Sequence, residues 1–206
     1  MIKIKSMIKY NKKREVYYMF NTNDYWEEVF KEYKIKDLNS IDFDNCTFIN
    51  CDFSNSVIYN CRFVECTFIN SDLSLSTLKS SIFNDVTFKK SKLLGLSWSH
   101  CQEPFEVKFD TCNISQNSFH LMDLRQMKFI NCMINDSGFE ECNLEKSLFD
   151  NCDLQYTVFL KNNLKKANFN TSKNYLINPA ENDIKDASFS LPEALSFLSL
   201  LPIKIK

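Results

Sequence analysis

Cys46-Thr47-Phe48-Ile49-Asn50, Cys51-Asp52-Phe53-Ser54-Asn55 and, far downstream, Cys152-Asp153-Leu154-Gln155-Tyr156 share one pattern: a bulky apolar residue with a small one two positions before it. Working outward, the bulky position recurs at every fifth residue from Leu38 through Phe43, Phe48, Phe53, Ile58 and onward to Trp98. After a slip of one residue it continues from Phe109 to Phe169, giving 26 anchors. A period of five fits neither a helix, whose apolar face returns near 3.6, nor a half-buried strand, which alternates every two. Residues two apart on an extended segment face the same way, so each pentad supplies an inward pair. The chain must then turn before the next pentad, because an odd offset would otherwise carry the next anchor to the opposite face. A corner every five residues gives a coil.

Residue type tells how many pentads close one coil, since like side chains stack on like in a solenoid. At a spacing of twenty, Phe43, Phe63 and Phe83 align, as do Phe48, Phe68 and Phe88. After the slip Phe109, Phe129, Phe149 and Phe169 form one column and Phe119, Phe139 and Phe159 another. Four pentads therefore make a four-sided coil, with aromatic columns on one pair of opposite walls of its second half and aliphatic columns on the other.

These runs resemble the pentapeptide repeat family, whose members form a right-handed quadrilateral β-helix; the expected fold is thus all-β, with a short C-terminal capping helix. Lys92-Leu93-Leu94-Gly95-Leu96 and the tail from Ile177 to Ile184 are similar to the McbG-type microcin-immunity branch and, more distantly, to the Qnr quinolone-resistance branch. That likeness implies one sharp function: a rod imitating the shape and charge of duplex DNA and shielding DNA gyrase.

The chain has 206 residues, 44% hydrophobic and 25% charged, with a formal net charge of −1. No uninterrupted apolar stretch is long enough to span a bilayer, and the basic leader Met1 to Arg14 lacks the apolar core of a signal peptide. A cytoplasmic protein is expected, with residues 1–35 as leader and cap, 36–170 as the β-helix broken near 99–108, and 171–206 as loop, last partial coil, capping helix and tail. The leader reads as a frayed terminus in preference to a nucleic-acid arm.

The nine cysteines fall at the small inward position or its continuation and read as reduced, space-filling thiols. Only two histidines exist, neither at a ligand spacing, so no metal and no cofactor is expected. His100 beside Cys101 hints at a base and nucleophile, but neighbours on an extended segment point apart and no orienting third group follows. With no phosphate loop either, the chain reads as a binding protein without enzymatic activity.

Interruptions of a rigid scaffold are where binding residues collect. Trp98 and Phe109 are eleven apart, and the gap holds Glu103, Pro104, Phe105 and Glu106: a contact loop, or a tolerated insertion with Phe105 folded into the core. Asp136, Glu140, Glu141, Glu145, Asp150 and Asp153 occupy outward positions of neighbouring pentads and form a candidate acidic collar. Lys79, Lys89, Lys90, Lys92, Lys161, Lys165 and Lys166 argue against continuous polyanion mimicry. A protein partner is expected, DNA gyrase being the sharper alternative, with no direct nucleic acid or membrane contact.

Toward the end, Ile184 and Phe189 resume the phase of five. Ser190-Leu191-Pro192-Glu193 then reads as a capping box before a helix whose face of Leu191, Ala194, Leu195 and Leu198 would cover the last coil. The apolar tail of Ile203 and Ile205 either pairs locally or joins a second copy, giving a homodimer through this end. At the other end Asn23 or Asp24 caps a helix carrying Trp26, Val29, Phe30 and Tyr33, or the same stretch runs extended.

Overall fold

The computed structural model describes residues 8–12, 15–20 and 22–204. Successive coils pair in parallel at an offset of twenty: Phe43 with Phe63, Phe63 with Phe83, Phe48 with Phe68, Ile58 with Leu78, and Phe119 with Phe139. All 26 anchors are buried, the most exposed being Phe159 at 4%. The result is a β-solenoid of four walls around a continuous apolar core.

The small inward residues do more than fill space. Cys66 Sγ donates to Phe43 O at 3.4 Å, Ser71 Oγ to Phe48 O at 3.3 Å, Ser137 Oγ to Ile114 O at 3.1 Å and Cys152 Sγ to Phe129 O at 3.3 Å. Each reaches an anchor carbonyl of the preceding coil and so adds a side-chain tie between coils to the backbone ladder. Cysteine and serine interchange here because both are small and both donate.

Each corner is turned by one residue in the left-handed region, two after the anchor. Positive φ recurs at every fifth residue from Asn45 to Gly95 and again from Thr111 to Lys166. Asparagine, which tolerates this conformation best after glycine, holds Asn45, Asn50, Asn55, Asn60, Asn70, Asn131 and Asn151. Leu75, Leu121 and Tyr156 also adopt it, held there by the ladders on either side.

Nine rings form one unbroken column. Phe30, Phe48, Phe68, Phe88, Phe109, Phe129, Phe149, Phe169 and Phe189 stack at centroid spacings of 4.6 to 5.7 Å. In the second half the other aromatic column, Phe119 to Phe159, lies on the opposite wall. Phe129 and Phe139 meet edge to face at 5.9 Å across the core.

Of the two readings of residues 23–33, a capping helix or an extended run, the extended one holds. Asp24–Trp26 and Val29–Lys31 are strands that pair with Asp42–Asp44 and Thr47–Ile49, so the solenoid starts twelve residues before the expected boundary at 36. Tyr25, Phe30 and Ile35 are the buried anchors, whereas Trp26 and Val29 point outward. The period of five overrides the helical one because Glu27 and Glu32 take the left-handed corner conformation. This first coil is short: Tyr25 pairs with Phe43 and Phe30 with Phe48 at an offset of eighteen, whereas Leu38 pairs with Ile58 at twenty. Phe20 plugs the open end, edge-on to Tyr25, Phe30 and Phe43 at 5.1 to 5.4 Å. Ahead of it, Ile8–Lys12 and Glu15–Met19 pair as an antiparallel hairpin, so this part of the leader is not a frayed end. The rest of the leader, residues 1–7, 13 and 14, lies outside the described residues, as do 205 and 206.

At the other end Asn163 bridges to Asp183 and Asn168 to Ser188, continuing the offset of twenty. The cap is a 3-10 helix, Glu193–Leu200, with Pro192 at its N-cap and no side-chain cap bond. The capping box does not form, because the Glu193 carboxylate accepts from Asn174 N at 2.8 Å. Leu191 and Leu195 point to solvent, 75% and 54% exposed. Three residues per turn instead place Ala194 and Phe197 on the inner face, with Phe197 edge-on to Phe189 at 4.9 Å.

Candidate docking surfaces

The register break lies where Ile82–Lys89 pairs with Gln102–Asp110. The pairing runs Ile82 to Gln102, Phe83 to Phe105, Val86 to Val107 and Phe88 to Phe109. Glu103 and Pro104 are therefore inserted before Phe105, and one residue is lost between Phe105 and Val107. The lost residue is the corner: Asp85 has φ 50°, but no residue between Gly95 and Thr111 has positive φ. The long strand runs straight past a missing corner. Phe105, 7% exposed, takes the anchor place and meets Trp98 at 5.5 Å; of the two sequence readings, the folded-back one holds for this side chain.

Trp98 explains why the core needs this irregularity. Its ring is edge-on to Phe83, Phe88, Phe105 and Phe109 and stacks on Phe119. Before the break, aromatic columns occupy two adjacent walls; after it, two opposite ones. Trp98 and Phe105 lie in the coil where one arrangement changes into the other.

Above the inserted residues the wall opens into a groove of about 590 Å3 between Glu103–Lys108 and Asp123–Lys128. Glu103 and Glu106 are both exposed, but the Glu103 carboxylate folds back to accept from Phe105 N at 3.0 Å. Arg125 clasps Asp123, with Nε at 2.8 Å from Oδ1, and holds that carboxyl below the usual carboxylate range. Lys108 is tied to Asp85 at 3.5 Å. The sequence reading missed this upper lip, since nothing at Asp123 or Arg125 departs from the pentad pattern.

The acidic collar does not gather on one wall. Glu140, Glu145, Asp150 and Asp153 flank Phe139, Leu144, Phe149 and Leu154, the anchors of four successive walls, while Asp136 and Glu141 sit at corners. Most of these carboxylates also have a partner: His120 for Glu140 at 3.7 Å, Lys161 for Glu141 at 3.2 Å, Lys146 for Glu145 at 3.6 Å and Lys173 for Asp153 at 3.4 Å. Asp150 accepts from Thr171 Oγ1 at 2.7 Å.

Among the described residues, His100 and Cys101 do not pair as base and nucleophile. His100 Nδ1 lies 3.3 Å from Ser97 Oγ, and burial pushes the Cys101 thiol up to about 12, the opposite of an activated nucleophile. All nine cysteines are free thiols. Among the described residues no cluster of His, Cys, Asp and Glu could hold a metal ion, and no helix is long and apolar enough to cross a membrane.

A second concavity, about 740 Å3, opens beside the C-terminal cap and includes Tyr156, Val158, Leu176 and Leu200. Those four side chains are exposed, as are Leu191, Leu195, Leu201 and Ile203 around the cap.

The pentapeptide repeat region family matches residues 41–103 and 105–175, the two blocks meeting at Pro104. Among solved structures, a trypsin-treated form of QnrB1, a plasmid-mediated fluoroquinolone resistance protein, is similar over 89% of this chain and 91% of its own, at 14% identity and a TM-score of 0.53. Full-length QnrB1 matches over 87% and 100% at 17% identity and a TM-score of 0.38. HetL, a pentapeptide repeat protein involved in heterocyst differentiation regulation from the cyanobacterium Nostoc sp. strain PCC 7120, matches over 82% and 86% at 12% identity and 0.30. No curated protein sequence matches the chain.

Proposed function

Because the chain belongs to the pentapeptide repeat family, we propose that it acts by binding a protein partner through the outer walls of its rod, without chemistry of its own. One observation carries this reading: the polar groups that interrupt the repeat lie on exposed wall positions, while eight of the nine cysteine thiols are buried in the core. A rigid scaffold bearing irregular surface features is built for recognition. Nine free thiols fit a reducing cytoplasm.

A second reading, protection of DNA gyrase against a quinolone or a microcin, is supported by the fold shared with QnrB1. Charge does not favour it: the net value is −1, and Glu141, Glu145 and Asp153 of the collar are each paired with a lysine, which weakens long-range attraction to a basic groove. A supercoiling assay separates the two. Gyrase protection requires that added protein relieve poisoning and that charge reversal at Glu140 and Glu141 weaken the relief. Unchanged poisoning across a wide range of protein concentration leaves the general binding reading alone. Self-association through the cap is supported by exposed Leu191, Leu195, Leu201 and Ile203. Light scattering would show a mass that halves on Leu191→Glu with Leu195→Glu.

A further inference from the structure

Backbone hydrogen bonds link successive coils along the walls, and on the wall of Phe43, Phe63 and Phe83 one coil lacks its bonds to the coil before it. On that wall, the residue before each regular anchor donates its N–H to the preceding coil: Arg62 to Ile41 O at 3.0 Å, Ile82 to Cys61 O at 2.9 Å, Asn143 to Met122 O at 2.9 Å. Its C=O in turn accepts from the preceding anchor, as Asn143 O does from Leu124 N at 2.8 Å. The carbonyl after the anchor accepts too, as Glu145 O does from Gln126 N at 3.0 Å. At the coil above the break all three bonds are missing. Asp123 N–H, Asp123 C=O and Arg125 C=O have no partner among the described residues.

The cause is visible one coil below. Phe105 N–H, which the ladder would deliver to Asp123 C=O, donates instead to the Glu103 carboxylate. Pro104 has no N–H to offer. The lost corner residue takes with it the donor that would meet Arg125. Pairing resumes only at Lys108 with Lys128.

Unpaired backbone groups along one exposed edge are a template for an added strand, and here Asp123, an isolated bridge residue, and Arg125, in the turn after it, line a groove within the ~300–1,000 Å3 range of binding clefts. Of the charged groups on the groove, Asp123 is matched by Arg125, Lys108 is tied to Asp85 and Glu103 is bonded to Phe105 N–H, while Glu106 at one lip and Lys128 at the other have no ion pair among the described residues. We propose that an extended segment of a partner protein, carrying a basic side chain over Glu106, adds as a strand to the Asp123–Arg125 edge. This rests on the binding reading above and names its surface.

Peptides selected from a random displayed library against the full chain, then synthesised, provide the probe. The expected peptides carry Lys or Arg. Asp123→Pro deletes a donor that has no partner in the free protein, and should weaken them at least about tenfold, the worth of one to two main-chain hydrogen bonds. Asp123→Asn keeps the N–H and should leave affinity within about threefold, and Glu106→Lys should weaken the basic peptides. In the unaltered protein, bound peptide should slow amide exchange at Asp123, a readout that serves even where Asp123→Pro fails to fold. Peptides indifferent to Asp123→Pro, no slowing at Asp123, or no peptide selected would each overturn the strand-addition site while leaving binding elsewhere on the walls intact. A concentration-dependent dimer abolished by Asp123→Pro would also overturn it, by assigning the edge to a second copy.

Discussion

Burial holds the Cys51 and Cys61 thiols up at about 11 and those of Cys101 and Cys112 at about 12, against about 8.5 in an unfolded chain. For an acid whose folded pKa is raised, the folded state retains the proton longer. Its stabilising contribution is complete below pH 8.5 and is lost as pH climbs toward 11 to 12. Stability should therefore be level between pH 7 and 8.5 and fall above it, with a limiting slope of about 1.4 kcal/mol per pH unit for each such thiol. Melting temperatures across pH 7 to 10.5 check this, and Cys51→Ser with Cys61→Ser should flatten the decline. The same replacement should cost little at neutral pH, since serine already makes the equivalent bond at Ser71 and Ser137. Cysteine usage was legible in the chain because thiols kept the pentad phase. Their bonds to anchor carbonyls were not, because those depend on which atom lies one coil below.

Between elements, stacking decides what a substitution does. Phe129 sits between Phe109 and Phe149 at 5.5 and 4.7 Å, and Phe129→Ala should cost about 3–5 kcal/mol by leaving a hole that the rigid ladders cannot close. Trp98 differs: its indole N–H is buried without a partner. Trp98→Phe loses area but removes that unpaired donor and extends the column of Phe119, Phe139 and Phe159. The net change should stay within about 1.5 kcal/mol. Denaturant melts of both variants compare them directly. The two ends show why regular coils were easier to read than caps. Tyr25, Phe30 and Ile35 kept the phase of five, but Val29 and Phe30 mimic a helical face over so short a stretch, and two missing residues hide the alignment with Phe43. At the cap, Leu191 and Leu195 looked inward on a 3.6 period, whereas the closing turn has three residues and follows Phe197.

Over the whole rod, the outward positions carry almost no pattern that predicts which carboxylates share a wall, because neighbours on one wall are twenty residues apart in sequence. Asp136 to Asp153 read as a collar, yet their partners, His120, Lys161 and Lys173, come from the coils on either side. The groove above Glu103 was visible only as an extra residue; its upper lip belongs to a coil whose sequence is regular. That single net insertion has a further consequence. An odd residue is accommodated here by giving up a corner, and two fewer are absorbed at the open first coil, so among the regular coils between them and the cap the rod's length can change only in whole storeys, as a staircase gains or loses complete flights. Excising residues 124–143, which joins Asp123 to Leu144 and returns Phe149 to the place of Phe129, should give a cooperatively melting protein about 4.8 Å shorter by X-ray scattering. Excising nineteen residues in the same region should leave every later side chain facing the wrong way, and no such protein should fold.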